Sequence, residues 1–219
     1  MKRFLHDNGL SIVNFTLFAV FLGATSLTGH RYYNDEQQDH GEPPVTYAEY
    51  VGSGDFLEAV MENWESEFLQ MAMYVILTTM LFQKGSSESK DPDRRDKVDR
   101  DPRRTKHGPD TPWPVRRGGW VSRLYEHSLS LAFALIFLLS FLLHARGGAL
   151  AESEEQLQHG GEVVTTLQYM GSSRFWFESF QNWQSEFLAV FAIVFLSIFL
   201  RQRASPESKP VDEPHHTTG

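Results

Sequence analysis

The second half of the chain repeats the first half at a constant offset. Tyr50 corresponds to Tyr169 (169 − 50 = 119), and the same register aligns both halves without an insertion or a deletion. The densest match is the motif Asn-Trp-x-Ser-Glu-Phe-Leu, which occupies residues 63–69 and 182–188. A chain with such an internal repeat is expected to fold as two equivalent units.

Four segments of the chain contain no Asp, Glu, Lys or Arg, and they cover residues 8–29, 68–83, 127–145 and 187–200. A bilayer span needs roughly 20 mainly apolar residues, which the first and third segments supply directly. The second and fourth reach that length if their helices begin upstream, at Trp64 and Trp183, which then act as interfacial anchors. The sequence therefore predicts an all-α, four-span transmembrane helical bundle. The alternative, four buried helices of a soluble bundle, is disfavoured by the density of Leu and Phe.

Each half is predicted to be a pair of transmembrane helices with an external amphipathic helix between them. The predicted boundaries are a first repeat at 1–84, a charged cytoplasmic linker at 85–122, a second repeat at 123–203 and a cytoplasmic tail at 204–219. Two spans return the chain to its starting side, so the two repeats are predicted to be parallel. The linker has few large apolar residues and is predicted to be flexible.

The distribution of positive charge predicts the orientation. Of the 20 Lys and Arg residues, 17 lie in the segments 1–9, 84–123 and 201–219. Cytoplasmic segments carry the excess of Lys and Arg, so both termini and the linker are expected in the cytoplasm. A cleaved signal peptide at the amino terminus is the alternative. It is disfavoured because the equivalent segment, 127–145, lies in mid-chain.

An amphipathic helix is predicted to lead into the second apolar segment of each half. Ser53 and Ser172 stand where a helix N-cap is needed. The acids that follow Ser53 are predicted to face solvent, opposite the apolar residues of the same helix. These acids are Asp55, Glu58, Glu62 and Glu65.

The motif contains the candidate functional residues. Helical spacing places Asn63 beside Glu67 and Asn182 beside Glu186, because residues four apart share one helix face. One hypothesis is that the two carboxylates bind a proton or a cation near the axis between the repeats. The favoured hypothesis is that the Asn–Glu pairs hold the repeats together or extend to the external water, since polar residues often join membrane helices without transporting anything.

Histidines give a weaker signal for a metal or cofactor. His40 and His159 are equivalent, but each lies in a loop without a second histidine at ligand spacing, which favours a structural role over a metal site. His30 and His144 are not equivalent, so a haem or metal pair is disfavoured. We therefore predict no cofactor and no metal. The sequence also lacks a nucleotide-binding loop, a zinc-protease helix and a nucleophile elbow, so no catalytic residues are predicted.

Several stretches resemble a bacterial family of uncharacterised integral membrane proteins, a domain of unknown function with an internal repeat. They are the opening Met-Lys-Arg-Phe-Leu, the motif in both halves, the run from Pro112 to Trp120, and Arg201-Gln202-Arg203. The resemblance implies a bacterial inner-membrane protein without an established activity. It identifies no site residues.

We therefore expect a non-enzymatic inner-membrane protein with an envelope or interaction role. The alternative is a small proton or cation transporter or channel that uses Glu67 and Glu186. A membrane-bound enzyme ranks third. The expected partner is the lipid bilayer, with homo-oligomerisation left open, no nucleic acid and no identifiable protein partner.

Overall fold

The computed structural model describes residues 2–218, and all of their regular structure is helical. The α-helices are α1 Lys2–Asp7, α2 Gly9–Asp39, α3 Tyr47–Val51, α4 Gly54–Met80, α5 Trp113–Arg117, α6 Gly119–Glu126, α7 Ser128–Gln158, α8 Thr166–Met170 and α9 Ser173–Leu196. Two short 3-10 helices, Lys97–Asp99 and Pro102–Arg104, lie in the charged linker. The prediction of an all-α protein is confirmed.

Helix boundaries follow the 119-residue offset of the sequence. Helices α2 and α7 each contain 31 residues, and α3 and α8 each contain five. The first residues of α2 and α7 are 119 positions apart (128 − 9), as are those of α4 and α9 (173 − 54). Both halves of the chain therefore form a long helix, a five-residue helix and a second long helix in the same order.

The starts of α4 and α9 are capped as the sequence predicts. The Oγ of Ser53 accepts a hydrogen bond from the main-chain N–H of Phe56, and that of Ser172 accepts one from Phe175, each at 3.2 Å. Such a cap satisfies an N–H group that has no partner within the helix. The two predicted N-caps are confirmed.

Helices α3 and α8 begin with capping boxes that the sequence analysis did not identify. The Thr46 side chain accepts from the N–H of Glu49, whose carboxylate accepts from the N–H of Thr46. Thr165 and Gln168 make the same two bonds in the second half. Because the cap residue and its partner are both polar and three positions apart, the pattern is readable from the sequence alone.

Two of the described helices, α2 and α7, are long and apolar enough to cross a membrane. Only 6% and 17% of their most apolar windows is buried within the protein, and α2 lies near the amino terminus. Helices α4 and α9 do not combine the length and the hydropathy that this requires. Their uncharged portions end with the helices at Met80 and Leu196, after about 20 and 15 Å of helix, whereas a span needs about 30 Å.

The described chain divides into two compact units, and each contains segments from both halves of the sequence. Unit 1 comprises residues 2–61 and 143–175. Unit 2 comprises residues 62–142 and 176–218. The long helices α4, α7 and α9 therefore each contribute to both units, and the units do not coincide with the two sequence repeats.

Unit 1 is built around two equivalent tyrosines, Tyr50 and Tyr169, which are both buried. Each ring lies against a glycine of a long helix, Gly29 for Tyr50 and Gly148 for Tyr169, and a Cβ added at either glycine would overlap the ring. The ring of Tyr169 also packs on the fully buried Phe175, with the two centroids 5.8 Å apart. Glycine at these two positions is thus explained by the close approach of an aromatic ring.

Unit 2 contains the charged linker, 85–122. Its acids and bases pair locally: Lys90 Nζ lies 2.5 Å from Asp99 Oδ1, and Arg103 Nε lies 3.1 Å from Asp101 Oδ1. The flexibility predicted for this segment stays a prediction.

Candidate functional site

The serines of the Asn-Trp-x-Ser-Glu-Phe-Leu motif make the same hydrogen bond in α4 and α9. The Oγ of Ser66 donates to the main-chain carbonyl of Asn63 at 2.9 Å, and that of Ser185 donates to Asn182 at 2.8 Å. The side-chain amide of Asn182 donates in turn to the carbonyl of Glu178 at 3.2 Å. These bonds stay within one helix, which gives part of the motif a local structural role.

The predicted polar pairs differ in exposure. Asn63 and Glu67 are exposed, whereas Asn182 and Glu186 are half-buried. Glu67 and Glu186 lie close enough for their charges to interact. The assignment of these residues as a structural lock or as an ion-binding pair stays a prediction.

The two predicted anchors, Trp64 and Trp183, are half-buried. The indole N–H of Trp183 donates to Glu65 Oε1 at 2.8 Å, and its ring contacts that of Phe180 with the centroids 5.5 Å apart. The ring of Trp64 packs edge-on against Phe68. Trp183 therefore has a specific polar partner within unit 2, and its placement at a membrane interface stays a prediction.

The interpretation that the acids of α4 all face solvent is wrong for Glu58 and Glu65, which are 7% and 0% exposed. Each receives a hydrogen bond from an aromatic side chain of the other half of the sequence. Tyr169 donates to Glu58 at 2.5 Å, and Trp183 donates to Glu65 at 2.8 Å. A buried carboxylate is tolerated when such donors compensate for lost hydration.

One signal of this burial was present in the sequence. The two tyrosines and the two tryptophans are repeated, but the positions equivalent to Glu58 and Glu65 carry Phe177 and Gln184. The two acids therefore occur in one half only, whereas the residue types of their aromatic donors occur in both halves.

A second group of polar residues encloses a cavity of about 230 Å³ within unit 1. The cavity lies where the carboxyl ends of α2 and α7 meet the first turns of α4 and α9. Its lining consists of Tyr33, Glu36, Gln37, His40, Asp55, Ala151, Glu154, Glu155, Gln158, His159 and Arg174. Four carboxylates thus surround one guanidinium group.

Hydrogen bonds hold the cavity wall in place. The hydroxyl of Tyr33 donates to Glu154 Oε1 at 2.6 Å, which joins α2 to α7. Arg174 lies 2.8 Å from Glu152 Oε2 and 3.2 Å from Glu155 Oε2, which joins α9 to α7. The wall is therefore formed by side chains from both halves of the sequence.

The half-buried Asp55 reports the electrostatic character of this cavity. Burial raises the pKa of its carboxyl group above the ordinary value of 3.8, and the charges of Glu154 and Glu36 raise it further. Arg174 opposes the shift but is a weaker influence. The four carboxylates that line the cavity, set against one guanidinium group, favour a positive charge there over a further negative one.

The structure brings His40 and His159 together at the cavity. Their ring centroids are 6.3 Å apart, with the rings nearly perpendicular. Within its own loop, neither histidine has a second histidine at ligand spacing. The second histidine comes instead from the equivalent position in the other half.

His30 and His144 occupy different environments within unit 1. The Nε2 of His30 lies 2.9 Å from the carbonyl oxygen of Val45. His144 is fully buried against the ring of Phe175, at a centroid distance of 4.9 Å, and its nearest ligand atom lies within 4.8 Å of a carboxylate oxygen of Glu58. This buried contact of His144 with Glu58 was not predicted from the sequence.

Comparison with known proteins places the chain in a family but not in a functional class. Neither the search of curated proteins nor the search of solved structures found a significant match. One family model, described as a domain of unknown function, matches residues 1–219. The chain therefore belongs to the family of the domain of unknown function DUF6766.

Proposed function

We propose that this chain is a four-span protein of the bacterial inner membrane without enzymatic activity. Both termini and residues 85–122 lie in the cytoplasm. The polar end of unit 1, residues 30–61 and 146–175, lies outside the cytoplasm and serves as an interaction surface. The positive charges support this orientation, because 17 of 20 Lys and Arg residues lie within positions 1–9, 84–123 and 201–219.

The exposure of the apolar helices supports insertion in a bilayer. A core helix of a soluble protein is mostly buried, whereas 6% of the apolar window of α2 and 17% of that of α7 is buried. The apolar sequence also continues beyond α4 at Leu81 and Phe82, which are 64% and 56% exposed. About one more helical turn in lipid, counted together with the upstream residues from Trp64 and Trp183, would bring α4 and its equivalent α9 to about the length of a span.

The observation that carries the interaction role is the way both halves combine in the polar end of unit 1. Tyr33 bonds to Glu154, and Tyr169 bonds to Glu58, so polar groups of each half support the other. Buried polar groups used in this way fix a single arrangement of the helices. Around them lies an acidic surface suited to contact with a partner rather than with lipid.

Photocrosslinking in living cells tests this role. A photoreactive amino acid at Leu167, which is 80% exposed, should give a discrete adduct with a protein partner or a second copy of the chain. The same group at Ala149, which is 2% exposed, is the matched control and should give none. If position 167 yields only lipid adducts or no adduct, this surface has no protein partner and the proposal fails.

A transporter is the second candidate, favoured by the closeness of Glu67 and Glu186. We expect purified protein in proteoliposomes to show no proton or cation flux above that of empty liposomes. Flux in the wild type that disappears in the double variant Glu67→Gln, Glu186→Gln, but not in Glu42→Gln, would promote the transporter over our proposal. Glu42 is an exposed loop acid and serves as the control.

A further inference from the structure

The carboxyl ends of α2 and α7 carry the same pair of metal-ligating residue types. Glu36 and His40 are four positions apart, and so are Glu155 and His159, which stand at the equivalent positions of the second half. Residues four apart lie on the same face of a helix, so each pair presents a carboxylate and an imidazole side by side. The 119-residue offset thus supplies a matched set of two glutamates and two histidines.

The fold of unit 1 directs both pairs to one place. All four residues line the cavity described above, and the two imidazole centroids are 6.3 Å apart. The four side chains are exposed, so an ion can reach them from solvent.

The separation of the rings suits a shared ion. A zinc–nitrogen bond of about 2.0–2.1 Å places the ion about 3 Å from each ring centre, so two imidazoles on one ion have centroids roughly 5–6 Å apart. The observed 6.3 Å is slightly longer than that range, so the two rings must move closer together to share an ion. Closing the set around an ion requires side-chain rotations, which exposed histidines and glutamates make readily, and the release of Glu155 from its ion pair with Arg174.

Hydrogen bonding also prepares one of the ligands. The Nδ1 of His159 lies 2.8 Å from the main-chain carbonyl of Glu155 and donates its proton there, which leaves Nε2 with a free lone pair. Ligating histidines commonly have their second nitrogen fixed in this way. The carboxylates of the cavity outnumber its single guanidinium group, Arg174, and favour a bound cation.

We propose that Glu36, His40, Glu155 and His159 bind one divalent transition-metal ion. Imidazole ligands select ions such as Zn²⁺ over Mg²⁺ and Ca²⁺, which prefer oxygen ligands. The ion would join the carboxyl ends of α2 and α7 and so connect the two halves of the chain. This site lies within unit 1 and does not depend on the proposed topology.

Calorimetric titration of the full-length protein with Zn²⁺ tests the proposal. The protein is purified in detergent without a histidine tag and treated with a chelator before the titration. We expect one Zn²⁺ per chain, unaffected by excess Mg²⁺. His40→Ala and His159→Ala should each weaken binding by at least about tenfold, the lower limit seen when even indirect supports of a metal ligand are removed.

The exposed tail histidines provide the control. The double variant His215→Ala, His216→Ala should bind Zn²⁺ like the wild type, because it leaves the cavity intact. Where an alanine variant does not fold, His40→Gln and His159→Gln replace it. In addition, the wild type loaded with Co²⁺ should show the visible absorption of a histidine-ligated ion, and the His40 and His159 variants should not.

Two results would overturn the proposal. The first is unchanged Zn²⁺ affinity in a folded double variant of His40 and His159. The second is loss of binding in the tail variant, which would assign the metal to His215 and His216.

Discussion

Removing the hydroxyl group of Tyr169 should destabilise the protein far more than removing that of its equivalent, Tyr50. Both tyrosines are buried, at 1% and 5% exposure, and both rings pack beside a glycine. Tyr169 donates to the buried Glu58 at 2.5 Å. At the position equivalent to Glu58, the second half has Phe177, which cannot accept such a bond.

The magnitude follows from the chemistry of the acceptor. A hydrogen bond to a charged group contributes about 1.5–3 kcal/mol, and its loss leaves a buried carboxylate with one donor fewer. Tyr169→Phe should therefore reduce the free energy of unfolding by about 1.5–3 kcal/mol. Tyr50→Phe, in which the ring and its packing are retained, should change the free energy of unfolding by no more than about 0.5 kcal/mol.

Denaturant titration in detergent, followed by tryptophan fluorescence and circular dichroism, measures both variants against the wild type. A double-mutant cycle with Glu58→Gln isolates the pairwise term, because the two residues are in direct contact. Equal losses of stability in Tyr169→Phe and Tyr50→Phe would refute the reasoning. So would a coupling energy of zero between Tyr169 and Glu58.

Two further predictions concern the polar end of unit 1. The hydrogen bonds that Glu49 accepts from Thr46 lower the pKa of its carboxyl group below the ordinary value of 4.5. The cap therefore contributes stability above that pH and loses it as the pH falls through the lowered value. Hydrogen exchange, corrected for intrinsic rates, should show that the amides of α3 lose protection in acid. Those of α8, which is capped by the non-titrating Gln168, should keep their protection. Equal loss of protection in both helices, or an acid-dependent loss in α3 of the Glu49→Gln variant, would contradict this. Gly148→Ala should destabilise by about 1–3 kcal/mol, because its new methyl group overlaps a buried tyrosine ring. Gly23→Ala, where nothing lies within 4 Å, should stabilise slightly, and thermal unfolding that ranks the two variants in the opposite order would contradict the packing of unit 1.

Local features of the fold were predictable from the sequence. The serine caps of α4 and α9 were identified because a small polar residue after a glycine and before an amphipathic run has few other uses. The all-helical class followed from long uncharged segments and helical spacing. These inferences depend on residues within a few positions of one another.

Features that depend on contacts between the halves were not predictable in the same way. The helical periodicity of α4 places Glu58 and Glu65 on a different face from the apolar residues. It does not predict which of the two faces packs against the rest of the protein. Aromatic donors more than 100 positions away, Tyr169 and Trp183, decide that question. The pairing of His40 with His159 likewise required the two loops to be placed in space.

The accessibility of single cysteines distinguishes the proposed four-span topology from other arrangements of the chain in the membrane. The chain has no cysteine, so single cysteines can be introduced at the exposed positions Glu42, Val98, Glu162 and Val211. In intact cells whose outer membrane has been made permeable, an inner-membrane-impermeant maleimide should label positions 42 and 162. It should label positions 98 and 211 only after lysis. Labelling of position 98 or 211 in intact cells, or protection of position 42 or 162, would contradict the four-span arrangement with a cytoplasmic linker.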